Sequence, residues 1–125
     1  MAVAESQGIQ SELVPKIATG FCSGVARTGG QCGALSGAIM ALGLLTGRRV
    51  PGAPVDNHYG QVQDLVAWFM DTFGSINCQE LTGVHLGTEE GQMKFREANQ
   101  IENCLTYVEQ VTRIVLELAG AIDIT

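Results

Sequence analysis

Four cysteines are the residues of this chain with chemistry to offer: Cys22, Cys32, Cys78 and Cys104. Cys32 stands in Gly29-Gly30-Gln31-Cys32-Gly33-Ala34-Leu35-Ser36-Gly37, a stretch of small and uncharged residues. Glycine and alanine leave a sulfur little covered, so a second sulfur, an iron or a small oxidant has room to approach it. The stretch also reads as the start of a helix, where the macrodipole stabilises a thiolate and raises its reactivity. Cys104 falls on an apolar stripe, where a free cysteine ordinarily serves as a small buried hydrophobe, and Cys22 reads the same way. Cys78 follows a predicted helix end between polar Asn77 and Gln79, where core filling explains it less well.

The spacings between successive cysteines are 10, 46 and 26 positions, with no Cys-x-x-Cys pair. Zinc-ribbon, ferredoxin and thioredoxin patterns are therefore absent from the sequence. A metal or cluster assembled from distant thiols stays open, because closeness in space does not require closeness in sequence. His58 and His85 could complete a zinc site, but such a site needs several convergent ligands, and each reads better as a solvated loop residue. There is no phosphate loop, dinucleotide fingerprint or zinc-peptidase helix motif. Ser36 has no evident base partner, which leaves a serine nucleophile unsupported. Glu89-Glu90 reads as helix-start charge.

Composition narrows the function classes. The net charge is -6 with seven basic residues in no dense run, whereas nucleic-acid binding rests on phosphate neutralisation by Lys and Arg. Arg48-Arg49 reads as a dipole partner at a helix C-terminus. The 125 residues form one expected domain, 1–125, large enough to fold without a structural metal or disulfide. Met1-Ala2-Val3-Ala4-Glu5 lacks the basic start and apolar core of a signal peptide, so a cytoplasmic location is expected. In that compartment cysteines are more often reduced, metal-bound or redox-active than stapled as structural disulfides. Residues Gly29 to Gly47 carry no charge, and Gly33 and Gly37 have the spacing of a transmembrane packing motif. The strongly apolar part, Ala34 to Leu45, reaches only about 18 Å as a helix, short of the roughly 30 Å of a bilayer core. No membrane insertion is expected.

The elements that must position the cysteines read as helices almost throughout. A short one spans Ser11 to Cys22, with Leu13, Ile17 and Phe21 four apart, before a loop at Ser23-Gly24 and Thr28-Gly29-Gly30. A second runs from about Gln31 to Thr46. Its Gly29, Gly33 and Gly37, with Ala34, Ala38 and Ala41, make a smooth face for close backbone approach, and Gly47 is its C-cap. After the proline-rich loop Val50 to Pro54, Asp56 or Asn57 caps a third helix with apolar Val62, Leu65, Val66, Phe69, Met70 and Phe73, ended by Gly74. The segment Ile76 to Gly83 carries Cys78 on one helical turn, and Thr88 opens a short helix. A last helix covers about Ile101 to Ala119, with Ile101, Cys104, Leu105, Val108, Val111, Val115 and Leu118 as its apolar stripe. The expected fold is all-α, a bundle of about four helices with short extra turns.

Cys32-Gly33-Ala34-Leu35-Ser36-Gly37 matches the signature Cys-Gly-Ala-x-x-Gly. With Gly20-Phe21 before it, Ala38 to Gly43 after it, Phe73-Gly74-Ser75-Ile76-Asn77-Cys78-Gln79-Glu80-Leu81, and Cys104 followed by an apolar helix, the chain resembles the bacterial and archaeal C_GCAxxG_C_C family of redox-active proteins over about residues 15 to 118. The resemblance implies a redox role for Cys32, Cys78 and Cys104, with Gly33 and Gly37 as motif residues beside a bound group. It also implies partners among oxidoreductases or transporters. An iron–sulfur cluster or other cysteine-ligated metal has been suggested for the family. The family's first cysteine usually lies farther upstream than Cys22, which either replaces it or is incidental. Three readings follow from the sequence. Two of Cys32, Cys78 and Cys104 exchange between dithiol and disulfide; or these three, with or without Cys22, hold a metal or cluster; or the glycine–alanine face docks a partner or a second copy of the chain in a homodimer.

Overall fold

The computed structural model describes residues 1–120; positions 121–125 of the expected 1–125 domain lie outside the described residues. The fold is all-α. Its helices are α1 (Ala2–Ser6), α2 (Leu13–Ala18), α3 (Gly33–Thr46), α4 (Asp56–Phe73), α5 (Cys78–Thr82), α6 (Glu89–Glu97) and α7 (Ile101–Leu118). A 3-10 turn, Thr19–Phe21, continues α2.

Three long helices make the core. α3 packs on both α4 and α7, and α1 closes over α3 and α7. Apolar residues three and four apart supply the seam: Leu35, Ala38 and Leu42 of α3, Leu65 and Phe69 of α4, Val111 and Val115 of α7, with Val3 from α1. Phe69, Leu35, Leu42, Leu65 and Val115 are wholly buried. On the side nearest the cysteines, Phe73 and Tyr107 lie with ring centroids 4.5 Å apart, and Phe69 and Tyr107 5.9 Å apart, in the tilted arrangements aromatic quadrupoles favour. At the other end, Thr46 Oγ1 lies 3.0 Å from His58 Nδ1 and 2.6 Å from Gln61 Oε1, and Gln61 Nε2 donates to the Leu118 carbonyl. His58 is therefore not a solvated loop residue but a half-buried member of α4 tied to the end of α3. His85 is exposed in a loop, as expected, and its Nδ1 accepts from the Gly87 amide.

Several boundaries differ from the sequence reading. The first expected helix stops at Ala18 as α-helix, and α1 was not anticipated. Gln31 pairs with Asn77 in an isolated antiparallel bridge, so α3 begins two residues late, at Gly33, with Cys32 as its N-cap. Val55, not Asp56 or Asn57, is the N-cap of α4, and no side chain caps it. Thr88 does cap α6, accepting from the Gly91 amide. Met70 is exposed, and so are Ile101, Leu105 and Val108 of the α7 stripe. Only the second half of α7 sinks into the seam with α3 and α4. The first half runs past it, and its Ile101, Leu105 and Val108 remain exposed while Tyr107 still packs on Phe69 and Phe73. No described helix is long and apolar enough to cross a membrane.

The glycine face is used in part. A β-carbon at Gly33 would stand 3.1 Å from the Phe21 carbonyl oxygen and 3.3 Å from the Cys22 Cα, so the chain before the motif lies directly on Gly33. Gly37 and Gly43 meet nothing within 4 Å; they border an apolar cavity of about 920 Å³ between α2, α3 and α7. Gly29 lies outside the helix, with φ +78°.

Candidate functional site

Two backbone hydrogen bonds assemble the site. The Cys32 amide donates to the Ile76 carbonyl at 2.7 Å, and the Cys78 amide donates to the Gly30 carbonyl at 2.7 Å. This pair flanks the Gln31–Asn77 bridge and ties the start of α3 to the start of α5. Cys32 and Cys78 are thereby held at the two helix starts, one residue beyond the bridge on each strand. Both are buried, at 8 % and 9 % exposure. Ser75 supports the second segment, donating to the Glu80 carboxylate at 2.5 Å and accepting from the Asn77 amide.

The segment before the motif takes an unusual course. Ser23, Gly24, Val25, Ala26 and Arg27 all have φ between 53° and 69°, a left-handed helical turn. For residues with a β-carbon that conformation costs about 1–2 kcal/mol each, and a β-branched valine is a genuine outlier there. The Gly24 carbonyl closes the turn, accepting from the Gly30 amide at 2.9 Å and the Thr28 hydroxyl at 3.1 Å. The course brings Gly24 onto Cys78. A β-carbon at Gly24 would overlap the Cys78 β-carbon and stand 3.0 Å from its sulfur.

All four cysteines line one cavity of about 480 Å³. Its walls come from the left-handed turn, the start of α3, Cys78, α6 and the exposed first half of α7. Cys104, half-buried, looks onto this cavity rather than into the core seam. Cys22 is exposed; its thiol lies 3.9 Å from the Ala18 carbonyl. Gly33 lines the cavity and Gly37 does not. No disulfide joins the four thiols.

The inner three thiols act on one another electrostatically. Burial pushes the Cys78 thiol up from its ordinary pKa, the charge of Cys32 pushes it further, and a hydrogen bond with Thr82 partly offsets both. Burial likewise raises Cys104, followed by the charges of Cys32 and Cys78. The Tyr107 hydroxyl is raised by burial and then by Cys104 and Cys32. Low dielectric and like charge each disfavour the ionised form, so the cluster resists carrying more than one thiolate at once. Ser36 is buried and accepts from Gln31 Nε2 at 2.9 Å, with no base beside it.

The sequence profile described as "Putative redox-active protein (C_GCAxxG_C_C)" matches residues 1–118. The chain belongs to the C_GCAxxG_C_C family. It is thus a member of a family described as redox-active. No curated protein and no solved structure shows significant similarity to the chain. The metal or cluster suggested for C_GCAxxG_C_C proteins needs several thiolates converging on one point. Among the described residues, no group of three or more His, Cys, Asp and Glu side chains is arranged to hold a metal ion. The thiols share a cavity without forming a ligand set, so the arrangement as it stands does not fit such a group.

Sequence reasoning missed Gly24, Arg27, Arg96 and Tyr107. Only the glycine density from Gly20 to Gly33 pointed toward the first of them. The two arginines are far apart in sequence and come together only as lining residues of one cavity.

Proposed function

We propose that this protein is a dithiol redox protein in which Cys32 and Cys78 exchange between two thiols and one disulfide. The observation that supports this most is the pair of backbone hydrogen bonds, Cys32 to Ile76 and Cys78 to Gly30, that ties the two cysteine-bearing helix starts to each other, with both thiols lining one cavity. Cys32 is the attacking sulfur. It heads a 14-residue helix among small residues that leave room for an incoming disulfide, while burial and neighbouring thiols raise Cys78 and Cys104.

The reaction balances without a further cofactor. The Cys32 thiolate attacks one sulfur of an oxidising disulfide; that S–S bond breaks, a mixed disulfide forms and one thiolate leaves. Cys78 then loses its proton and attacks the Cys32 sulfur, closing Cys32–Cys78 and expelling the second thiol. Two electrons and two protons pass from the protein to the disulfide, which becomes two thiols. A reducing dithiol from a partner oxidoreductase reverses the steps. A cytoplasmic setting, where such pairs are kept poised rather than locked, agrees with this role.

The test is oxidation of reduced protein by bis(hydroxyethyl) disulfide, alkylation of the remaining thiols, and peptide mass spectrometry. The expected product is one Cys32–Cys78 disulfide. Cys32→Ser abolishes it, Cys78→Ser traps the mixed disulfide on Cys32, and Cys104→Ser retains it. Failure of the wild-type chain to form any internal disulfide overturns the proposal.

A second reading rests on all four thiols lining one cavity. A cysteine-ligated metal or iron–sulfur cluster would need Cys32, Cys78 and Cys104, with or without Cys22, to move together onto it. Stoichiometric iron or zinc in protein purified without oxygen, with thiols that resist alkylation, would replace the dithiol reading.

A further inference from the structure

We infer that the cysteine cavity takes a small anionic disulfide, one bearing carboxylates or similar groups, whose charge is met by Arg27 and Arg96. This rests on the dithiol reading and names the class of its substrate. The chain is acidic overall, with a net charge of -6 and only seven basic residues. Two of those seven line this one cavity, one from the left-handed turn and one from α6, and no carboxylate lines it. Both are exposed, which places them where the cavity opens to solvent.

Neither arginine is already engaged. The ion pairs among the described residues are Lys94–Glu90 and Arg113–Glu117. Neither arginine is among the charges that act on Cys78 and Cys104, which are those of other thiols. Their guanidinium groups are left free for a ligand, and their planar fork suits a carboxylate. The backbone of Arg27 is anchored at the cavity. It ends the left-handed turn, and a β-carbon at Gly87 would stand 2.9 Å from its carbonyl oxygen, so the loop before α6 rests directly against it. Between the two arginines the walls are apolar, with Leu86, Phe95 and Leu105, a lining that suits an alkyl disulfide. The electrons pass as before. Cys32 attacks the bound S–S bond, Cys78 completes the protein disulfide, and the ligand leaves as two anionic thiols.

The experiment compares three alkyl disulfides as oxidants of the reduced full-length chain: dithiodipropionate, which is anionic, bis(hydroxyethyl) disulfide, which is neutral, and cystamine, which is cationic. Each rate is divided by that of the same disulfide with free mercaptoethanol. The normalised rate for dithiodipropionate should exceed that of the neutral compound by about tenfold, as electrostatic capture allows, despite the chain's own negative charge. Cystamine should be slowest, and high salt should shrink the difference. An Arg27→Gln, Arg96→Gln double variant should lose the preference. Arg48→Gln, Arg49→Gln, which changes net charge equally but lies off the cavity, should keep it. Equal normalised rates, or a preference that survives in the Arg27, Arg96 variant, overturn the inference while leaving the dithiol reading intact. No internal disulfide with any of the three compounds overturns both.

Discussion

Gly24 rests against Cys78 with no space for a side chain between them: its missing β-carbon would overlap the Cys78 β-carbon and lie 3.0 Å from the sulfur. Gly24 also has φ +68°, a conformation only glycine adopts freely. Gly24→Ala therefore meets both a collision and backbone strain. A destabilisation of about 2–4 kcal/mol is expected from overpacking and left-handed geometry together. A fall in the urea midpoint measures it, and a midpoint equal to wild type would contradict the contact.

Gly37 gives the opposite expectation. It lies inside α3, meets nothing within 4 Å and is absent from the cysteine cavity. Gly37→Ala should stabilise the protein by about 0.5–1 kcal/mol through lower unfolded-chain entropy. The rate of oxidation by bis(hydroxyethyl) disulfide should not change. A slowed rate would show that the motif's last glycine acts on the thiols.

Stability should fall in alkaline solution when the thiols are kept reduced. Cys78 and Cys104 are raised in the folded chain, chiefly by burial, so the folded state holds their protons to higher pH than the unfolded state does. Their contribution is fully present below the ordinary thiol range, about pH 8.5, and is lost as pH rises through the folded values above it. Tyr107 adds a loss of the same sign at still higher pH. Urea midpoints from neutral to alkaline pH in reductant check this, and Cys78→Ser and Cys104→Ser should each flatten the curve.

Oxidation should make the protein harder to unfold. A Cys32–Cys78 disulfide would close a loop of 46 residues, for which the chain-entropy relation gives about 4 kcal/mol before any native-state strain. The oxidised form should therefore show the higher urea midpoint. A lower midpoint would mean that closing the bond distorts the two helix starts.

The all-α architecture and the role of Cys32 as a helix-start cysteine were legible because both rest on local signals, periodic apolar residues and a cluster of small ones. Ile101, Leu105 and Val108 misled because periodicity marks an apolar face without saying whether another element covers it. The one-residue error at Val55 is of the same local kind, since the acid that invites a cap went into the first turn instead. The pairing of Gln31 with Asn77 and the left-handed run through Val25 and Ala26 carry no local signature. A bridge 46 positions long is a tertiary fact, and no propensity scale favours valine or alanine in that conformation.

The left-handed turn from Ser23 to Arg27 has a consequence for amide exchange. Four of its five residues carry a β-carbon in a conformation that costs about 1–2 kcal/mol each, held against Cys78 and the loop before α6. Opening this segment returns that energy, whereas opening α3 at Leu35 and Leu42 exposes wholly buried side chains. The amides near the Thr28 and Gly30 closures should exchange with solvent deuterium through local openings well before those of the α3 seam. The cavity thus has one wall that yields early and one that yields only with the whole fold, and Cys32 stands on the second.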